Sequence, residues 1–306
     1  MKFYKEDIYL VFTFIFLIIG IFFKSYFSLS GYLTPDSTHY LKLAQNLLNG
    51  NGFSVSAVIT NNEREFFATW PIAYPSLIFI VSKITSLSVF WASKILNIFL
   101  LGVIFLLFRI LFNKNAYIYG LVFFSASYIE IFSFTWSETL FIALLILFST
   151  LIYLLLLDSK YNIGIYISIF IISLLLFLTR YIGAFSLGVL GLYSIFLYLL
   201  KKEKIKSFII IFILITNLII MFLYLYNNYM NTGFISGINR EIALESNVEL
   251  FRQLFSALIS EMITPSKFFN FNWFLMQFCI SSYFLMRYWH EIKLIIKNKK
   301  QTYVSL

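Results

Sequence analysis

The stretch SETLFIALLILFSTLIYLLLL, residues 137–157, decides the fold of this chain, because its only charged residue is Glu138, near the start. A helix needs about 20 consecutive apolar residues to cross a bilayer, so the stretch predicts a transmembrane helix. Similar apolar runs occupy residues 8–29, 90–112, 116–132, 163–179, 182–200, 207–229 and 273–290. The sequence therefore predicts an all-α polytopic membrane protein with about eight transmembrane helices.

The composition places the whole chain in the same class. Of its 306 residues, 60% are hydrophobic and 12% are charged, whereas soluble domains are about half apolar and about a quarter charged. The net charge of +9 comes from Lys and Arg residues that lie mostly in short links between apolar runs. A nucleic-acid site needs such residues gathered on one polar face. We therefore predict no nucleic-acid partner and assign residues 1–306 to a single transmembrane domain in the lipid bilayer.

The basic links set the predicted topology, since short cytoplasmic loops carry an excess of Lys and Arg. Placing every such link in the cytoplasm puts both termini there and predicts a multi-pass protein of the cytoplasmic (plasma) membrane. The first run, residues 8–29, exceeds the ~7–15 apolar residues of a signal peptide and lacks a clear cleavage pattern, so we interpret it as an uncleaved span. The links contain Arg109, Lys114, Lys160, Lys201, Lys202, Lys204, Lys206, Lys293, Lys297, Lys299 and Lys300.

Residues 72–87 are apolar but do not fit this topology as a span, because one more crossing would invert every later basic link. The segment is short, follows Pro71 and carries Lys83 in its middle. We predict an interfacial or re-entrant helix on the outer side, where irregular backbone is tolerated if it packs on protein or lines a wet cavity. Two substantial outer loops result, at residues 30–89 and 230–272.

Both outer loops contain a predicted interfacial helix. In the first, Asp36 is expected to cap a helix that runs to about Leu48, and Gly50 and Gly52 are expected to end it. Its apolar residues recur at helical spacing, so we expect the helix to lie flat on the membrane surface or on the spans. The second loop contains GINREIALESNVELFRQLFSAL, residues 237–258, whose glutamates lie four apart with apolar residues between them. This pattern predicts an amphipathic surface helix.

Few familiar active sites are compatible with this sequence. It contains no P-loop, dinucleotide-binding, zinc-protease or nucleophile-elbow motif. Its two histidines and single cysteine exclude a multi-histidine metal centre, a cysteine metal site and an intramolecular disulfide. What remains is a set of charges near the predicted outer interface, and charges at membrane depth are functional candidates by default. They are Asp36, His39, Lys42, Glu63, Arg64, Glu65, Glu138 and Arg180.

Three of these charged residues also have purely structural interpretations. Asp36, in TPDS, suits a turn or a helix cap. Glu138 suits the first turn of a helix capped by Ser137 or Thr135, where the helix dipole favours an acid. Arg180 can be a snorkelling interfacial cation or the partner of Glu138. Because Arg180 breaks the positive-inside pattern, it favours an anionic partner on the outer side, either a carboxylate or a phosphate.

The other candidates have simple interpretations as well. His39 suits a hydrogen-bonded interfacial position, and Lys42 and Arg64 suit solvated or headgroup-binding charges. Trp70 and Tyr74 fit the belt of aromatic residues that marks a membrane interface. For each of these residues, the structural and the functional interpretation remain open at this point.

Five motifs follow one another along the first 200 residues or so: PDSTHYLKLAQNLLNGNGFS (35–54), ATWPIAYPSLIFIVSKI (68–84), ASKILNIFL (92–100), WSETLFIALL (136–145) and LTRYIGAF (178–185). In order and spacing the series resembles the GT-C superfamily of integral-membrane glycosyltransferases. The branch it looks most like contains the protein O-mannosyltransferases and the aminoarabinose transferase of lipid A. The resemblance implies a GT-C-like enzyme that moves a sugar, with inversion, from a polyprenyl-phosphate carrier to a glycan, lipid or protein acceptor on the outer face.

The resemblance also implies roles for individual residues. The acidic residue of the first outer loop in that family corresponds to Asp36, as general base or acceptor-positioning group. Arg180 corresponds to the basic residue that holds the carrier phosphate, with Arg64 and Lys42 as further candidates. These types suit the chemistry, since an inverting transfer needs a carboxylate within reach of the acceptor hydroxyl and positive charge at the leaving phosphate.

Three further residues complete the predicted site. Glu138 is expected to orient a reacting group or bind the acceptor, and His39 and Tyr181 are expected to bind substrate. No cofactor is implied, and no divalent metal is indicated. The main alternative is a non-catalytic protein that binds the lipid carrier, as a translocator or an assembly subunit. A translocator needs charges midway through its spans, whereas these charges gather at one interface, which favours the enzyme.

Overall fold

A computed structural model describes residues 5–28, 31–56, 64–157, 163–236 and 246–253. Within these residues, five helical stretches are long and apolar enough to cross a bilayer: Asp7–Phe27, Val89–Phe124, Glu138–Leu156, Tyr181–Leu199 and Lys204–Thr232. The second and the fourth of them include short 3-10 turns. Two shorter apolar helices, Ala73–Thr85 and Ile163–Thr179, accompany them. The predicted class, an α-helical protein embedded in a membrane, is confirmed. The count of eight spans stays a prediction, and the span predicted at residues 273–290 lies outside the described residues.

The described elements up to residue 232 follow in chain order. They are α1 (Asp7–Phe27), α2 (Pro35–Leu48), β1 (Ser54–Ser56), β2 (Arg64–Phe66), α3 (Ala73–Thr85), α4 (Val89–Phe112), α5 (Ala116–Gly120), α6 (Ala126–Ser133), α7 (Glu138–Leu157), α8 (Ile163–Thr179), α9 (Phe185–Leu199) and α10 (Lys204–Thr232). Short 3-10 turns lie at Asn113–Asn115, Leu121–Phe124 and Tyr181–Ala184.

The outward faces of the long helices are apolar. On α10, for example, Phe208, Phe212 and Phe222 are 63%, 71% and 65% exposed. Apolar surface of this extent is rare on a soluble monomer. It is the expected surface of a helix that faces lipid, where the backbone hydrogen bonds are satisfied within the helix.

The span predicted at residues 116–132 is broken into α5, the 3-10 turn Leu121–Phe124 and α6. The break falls at Ser125, whose backbone is extended (ψ 146°) and whose hydroxyl caps α6 by accepting a hydrogen bond from the Tyr128 amide. A serine hydroxyl that binds a nearby amide offers the backbone an alternative to continuing a helix. The apolar run counted as one span at residues 116–132 is therefore not a continuous helix.

Helix α4 packs against helices that precede it in the chain and against helices that follow it. It packs against α1, α3 and α7, while α7 packs on α8, and α10 packs on both α8 and α9. A buried ion pair joins Asp7, in the first turn of α1, to Arg109, in the last turn of α4. The two helices are therefore antiparallel, and the start of α4 lies at the other end of the bundle from Asp7.

The helix predicted after the first span is present as α2, but its cap differs from the prediction. Thr34 is the N-cap, since its hydroxyl accepts a hydrogen bond from the Ser37 amide at 3.2 Å. Pro35 occupies the first helical position, where its missing amide hydrogen is no loss. Asp36 therefore does not cap α2. It lies in the first turn, where its charge complements the helix dipole.

The predicted stop of this helix is confirmed, because α2 ends at Leu48. Gly50 and Gly52 follow with φ of +75° and +67°, a region that favours glycine. The chain then forms an antiparallel hairpin of β1 and β2, with Val55 opposite Glu65. It returns to α3, whose 13 residues span about 20 Å. This length suits the predicted interfacial or re-entrant helix, since it is too short to cross.

The chain divides into two compact units, Met1–Arg240 and Glu241–Leu306. In the second unit the described residues form a helix at 247–253, where the Ser246 hydroxyl accepts a hydrogen bond from the Glu249 amide at 3.3 Å. The rest of the amphipathic helix predicted in the second outer loop lies outside the described residues. The predicted single domain and the predicted cytoplasmic termini stay predictions.

Candidate functional site

A cavity of about 250 Å³ opens at the end of the bundle where α2 and α7 begin and α8 ends. It brings together Asp36, Glu138 and Arg180, three predicted site residues from distant parts of the chain, and it also contains Tyr181. The remaining lining residues are aromatic, hydroxyl-bearing or apolar: Tyr40, Trp70, Pro71, Trp136, Ser137, Thr179 and Ile182. As far as the described residues line it, the cavity combines two carboxylates and one cation with aromatic walls.

Arg180 and Glu138 form an ion pair in the cavity wall. Their side chains are 39% and 36% exposed, so water screens the pair, and its contribution to stability is below about 1 kcal/mol. The structural interpretation of Arg180 as the partner of Glu138 is thus confirmed. A guanidinium has five donors in a planar fork, so the pair leaves Arg180 able to bind a further anion from the open side of the cavity.

Arg180 lies where α8 stops and the chain turns towards α9. Its backbone is extended, with φ −150° and ψ 135°, immediately before the 3-10 turn Tyr181–Ala184. Gly183 makes this turn possible, because a Cβ at that position would lie 2.3 Å from the backbone of Leu176. The turn therefore packs directly on the last turn of α8 and holds Arg180 at the cavity.

We expect Gly183→Ala to destabilise the protein by about 1–3 kcal/mol, the usual cost of extra volume in a closely packed site. Gly188 in α9 is the matched control, since a Cβ there meets nothing within 4 Å. Gly188→Ala should leave stability unchanged or raise it, because alanine favours a helix more than glycine does. Thermal unfolding of the purified variants in detergent measures the difference. Equal midpoints for the two variants would refute the close packing at Gly183.

Glu138 follows a short non-helical segment, residues 134–137, that links α6 to α7, and Lys94 of α4 anchors this segment together with the end of α6. The lysine side chain is fully buried (0% exposed). Its Nζ donates hydrogen bonds to the carbonyl of Ser133 and, at 3.2 Å, to the hydroxyl of Thr135. A charged group at membrane depth is costly unless such partners satisfy it. The lysine and the linking segment therefore hold each other in place.

Asn97, three residues further along α4, is the second anchor. Its amide nitrogen donates to the carbonyls of Phe132 and Phe134 at 3.0 and 2.8 Å. Its carbonyl oxygen accepts from the hydroxyls of Tyr74 and Thr139 at 2.8 and 2.9 Å. One buried amide thus joins α3, α4, α7 and the linking segment. The prediction that Tyr74 lies in an interfacial aromatic belt is wrong, because its fully buried hydroxyl is bound inside the protein.

Asp36 is tied to the same linking segment through the start of α2. The Trp136 indole donates to the hydroxyl of Thr34, the cap of α2, at 2.9 Å. Tyr40, one turn after Asp36, donates to the Ser137 hydroxyl at 3.1 Å. Asp36 itself is exposed. Its carboxylate is therefore accessible at the cavity, while its backbone is fixed by the neighbouring contacts.

Tyr40 places a neutral phenol in the cavity wall. Burial raises the pKa of Tyr40 to about 12, and the charges of Glu138 and Asp36 act in the same direction, whereas the hydrogen bond to Ser137 acts against them. The phenol is protonated at neutral pH and donates its hydrogen to Ser137, so its oxygen can only accept a further hydrogen bond.

The other predicted substrate-binding residues occupy different positions. Tyr181 lines the cavity, and its hydroxyl donates to the Ala68 carbonyl at 3.3 Å. His39 is half-buried and Lys42 is exposed on α2, and neither lines the cavity. Arg64 begins β2, and its side chain lies outside the described part of the chain. Substrate contact by His39, Lys42 and Arg64 stays a prediction.

The sequence-based interpretation did not include Lys94 and Asn97 in the site, nor Tyr40 and Trp136. A signal for the first two existed, because a lysine and an amide inside an apolar run at residues 90–112 are unusual at membrane depth. Tyr40 and Trp136 lie within the quoted motifs, but no local pattern indicated that they line the site. The partners that fix them lie 97 and 102 residues away in the chain.

Among the described residues, no group of three or more His, Cys, Asp or Glu side chains lies together as metal ligands would. Comparison of the chain with protein-family models, with curated proteins and with solved structures finds no match in any of the three.

Proposed function

We propose that this protein is a membrane glycosyltransferase that transfers a sugar from a polyprenyl-phosphate carrier to an acceptor hydroxyl, with inversion at the anomeric carbon. The observation that carries the proposal is the meeting of Asp36, Glu138 and Arg180 in one cavity at the end of the membrane helices. The resemblance of the surrounding motifs to the GT-C superfamily also supports it, because the resemblance implies roles for Asp36 and Arg180.

The cavity offers a group for each change of charge in such a transfer. Asp36 accepts the proton of the acceptor hydroxyl as the hydroxyl oxygen attacks the anomeric carbon. The bond between that carbon and the phosphate oxygen breaks, and the phosphate leaves with the electron pair. Arg180 stabilises the negative charge that develops on the phosphate. Glu138, paired with Arg180, fixes the guanidinium and is a positioning residue.

A lipid-linked donor suits the place of the cavity in the fold. Arg180 directly follows the apolar helix α8, so a phosphate held there has an apolar surface beside it for a polyprenyl chain. The volume of about 250 Å³ lies below the ~300–1,000 Å³ of pockets for drug-sized ligands. The cavity therefore suits the transfer of one sugar unit better than that of a long glycan.

The second candidate function is carrier binding without transfer. The ion pair between Glu138 and Arg180 favours it, because an arginine that shares its charge with a carboxylate stabilises a leaving phosphate less strongly than a free one. Such a protein would hold the carrier for a partner enzyme or for translocation.

Transfer by the purified protein in proteoliposomes tests the proposal. With a radiolabelled polyprenyl-phosphate sugar and acceptors extracted from the native membrane, we expect labelled product whose anomeric configuration, measured by NMR, is inverted. A nucleotide sugar supplied without the carrier should give no product. Saturable binding of the carrier without product would support the second candidate. The absence of both binding and product would refute both functions.

A further inference from the structure

A second, apolar groove lies between α8 and α10, towards the opposite end of α8 from Arg180. Its volume is about 650 Å³. The lining is apolar apart from the hydroxyls of Tyr166 and Thr216, and it includes Ile163, Ile205, Phe208 and Phe212. On the membrane-facing surface of a helical bundle, a groove of this composition suits a hydrocarbon chain.

The turn from α9 to α10 places a cluster of lysines next to this groove. Lys201, Lys202 and Lys204 are exposed, and Lys206 pairs with Glu203 at 2.7 Å. The turn thus carries four lysines and one glutamate, a net charge of +3. The single acid is already paired, so the positive charge of the three exposed lysines faces the surroundings of the protein.

The lysine cluster and the groove are continuous. Ile205 lines the groove and lies between Lys204 and Lys206, while Thr216 lines it further along α10. About 11 residues at 1.5 Å each separate Ile205 from Thr216, a rise of about 16 Å. This is about half of the ~30 Å hydrocarbon thickness of a bilayer. The length of the groove therefore matches the thickness of one leaflet, and the lysine cluster lies at one end of the groove.

We propose that this groove binds an anionic phospholipid of that leaflet, with its phosphate on the exposed lysines and an acyl chain along α8 and α10. A zwitterionic lipid carries no net charge to match the lysine cluster, so charge complementarity selects an anionic headgroup. The site does not depend on the proposed transferase function, because Arg180 lies beyond the other end of α8.

A tryptophan placed in the groove tests the proposal. Phe212 lines the groove and is 71% exposed, so Phe212→Trp is readily accommodated, and brominated lipids quench a tryptophan that they contact. In phosphatidylcholine nanodiscs, brominated phosphatidylglycerol should quench Phe212→Trp more strongly than brominated phosphatidylcholine does. We expect an apparent affinity about fivefold higher for each lysine engaged. The fluorescence of the unsubstituted protein is subtracted.

Ile211→Trp is the matched control, since Ile211 is the neighbouring residue, is 37% exposed and does not line the groove. It should show no preference between the two lipids. Replacing Lys201, Lys202 and Lys204 together by Gln should abolish the preference of Phe212→Trp without changing the elution profile of the protein. Equal quenching by both lipids, an equal preference at Ile211→Trp, or a preference that survives the lysine replacements would each overturn the proposal.

Discussion

Asp36→Asn is expected to lower the rate of sugar transfer by about 10²–10⁴-fold, the usual contribution of a positioned general base. Asparagine has nearly the same shape as aspartate but cannot accept the proton. The fold should be retained, because Thr34 rather than Asp36 caps α2 and the Asp36 side chain is exposed. The activity of this variant therefore shows whether Asp36 is a catalytic carboxylate or only an acid that complements the helix dipole.

Initial rates in proteoliposomes at saturating lipid donor measure this effect, with thermal unfolding as the check on the fold. Asp36→Glu keeps the carboxylate and should recover part of the activity. Glu65→Gln removes an exposed acid from β2 and serves as the control without effect. If Asp36→Asn transfers sugar at the rate of the unsubstituted protein, Asp36 is only a first-turn acid and the base assignment is wrong.

The meeting of Asp36, Glu138 and Arg180 could be predicted from the sequence, because topology constrains it. Successive spans of a bundle alternate in direction. The first residues of one span therefore lie at the same end of the bundle as the last residues of the span before it. The cavity confirms that these three residues share one end. Hydropathy does not determine how each helix is rotated about its axis. The sequence could therefore not show that Tyr40 and Trp136 complete the wall.

Local sequence patterns gave a wrong prediction where several neighbouring residues suit the same structural role. In TPDS, Thr34, Asp36 and Ser37 are all good cap residues, and the backbone decides among them. Thr34 is the extended one, with φ −119° and ψ 172°. In the same way, average hydropathy predicted one span at residues 116–132, because it does not register that the Ser125 hydroxyl starts a new helix.

The buried network around Lys94 and Asn97 shows a different limit of sequence-based prediction. Their hydrogen-bond partners in the segment from Phe132 to Thr139 lie 35 to 42 residues away in the chain. Most of these partners are backbone carbonyls, which every residue has. The sequence therefore marks the two polar side chains but not the positions that they hold.

Arg180→Gln is expected to reduce transfer by about 10²–10³-fold, the effect of removing a donor that stabilises developing charge. Lysine at this position keeps the charge but loses the planar fork of the guanidinium, so Arg180→Lys should recover only part of the activity. The ion pair with Glu138 is more than one-third exposed on both sides, so its loss should cost less than about 1 kcal/mol of stability. Unfolding would then not account for the loss of activity.

Glu138→Gln distinguishes positioning from direct catalysis. If Glu138 acts by holding Arg180, its loss matters only while the arginine is present, so the double variant should be as slow as Arg180→Gln alone. The double-mutant cycle on kcat/KM should then show a coupling of about 0.5–3 kcal/mol, as for residues in contact. Additive effects would instead give Glu138 a role of its own, such as acceptor binding, and would contradict the positioning role.

The KM for the lipid donor is an independent test of how Arg180 and Glu138 act together. Arg180→Gln should raise this KM, since the phosphate loses its cation. Glu138→Gln should leave it unchanged or lower it, because the full charge of Arg180 then becomes available to the phosphate. Opposite effects of the two variants follow from a guanidinium shared between a carboxylate and a phosphate. A rise in KM for both variants would show that Glu138 does not compete with the donor for Arg180.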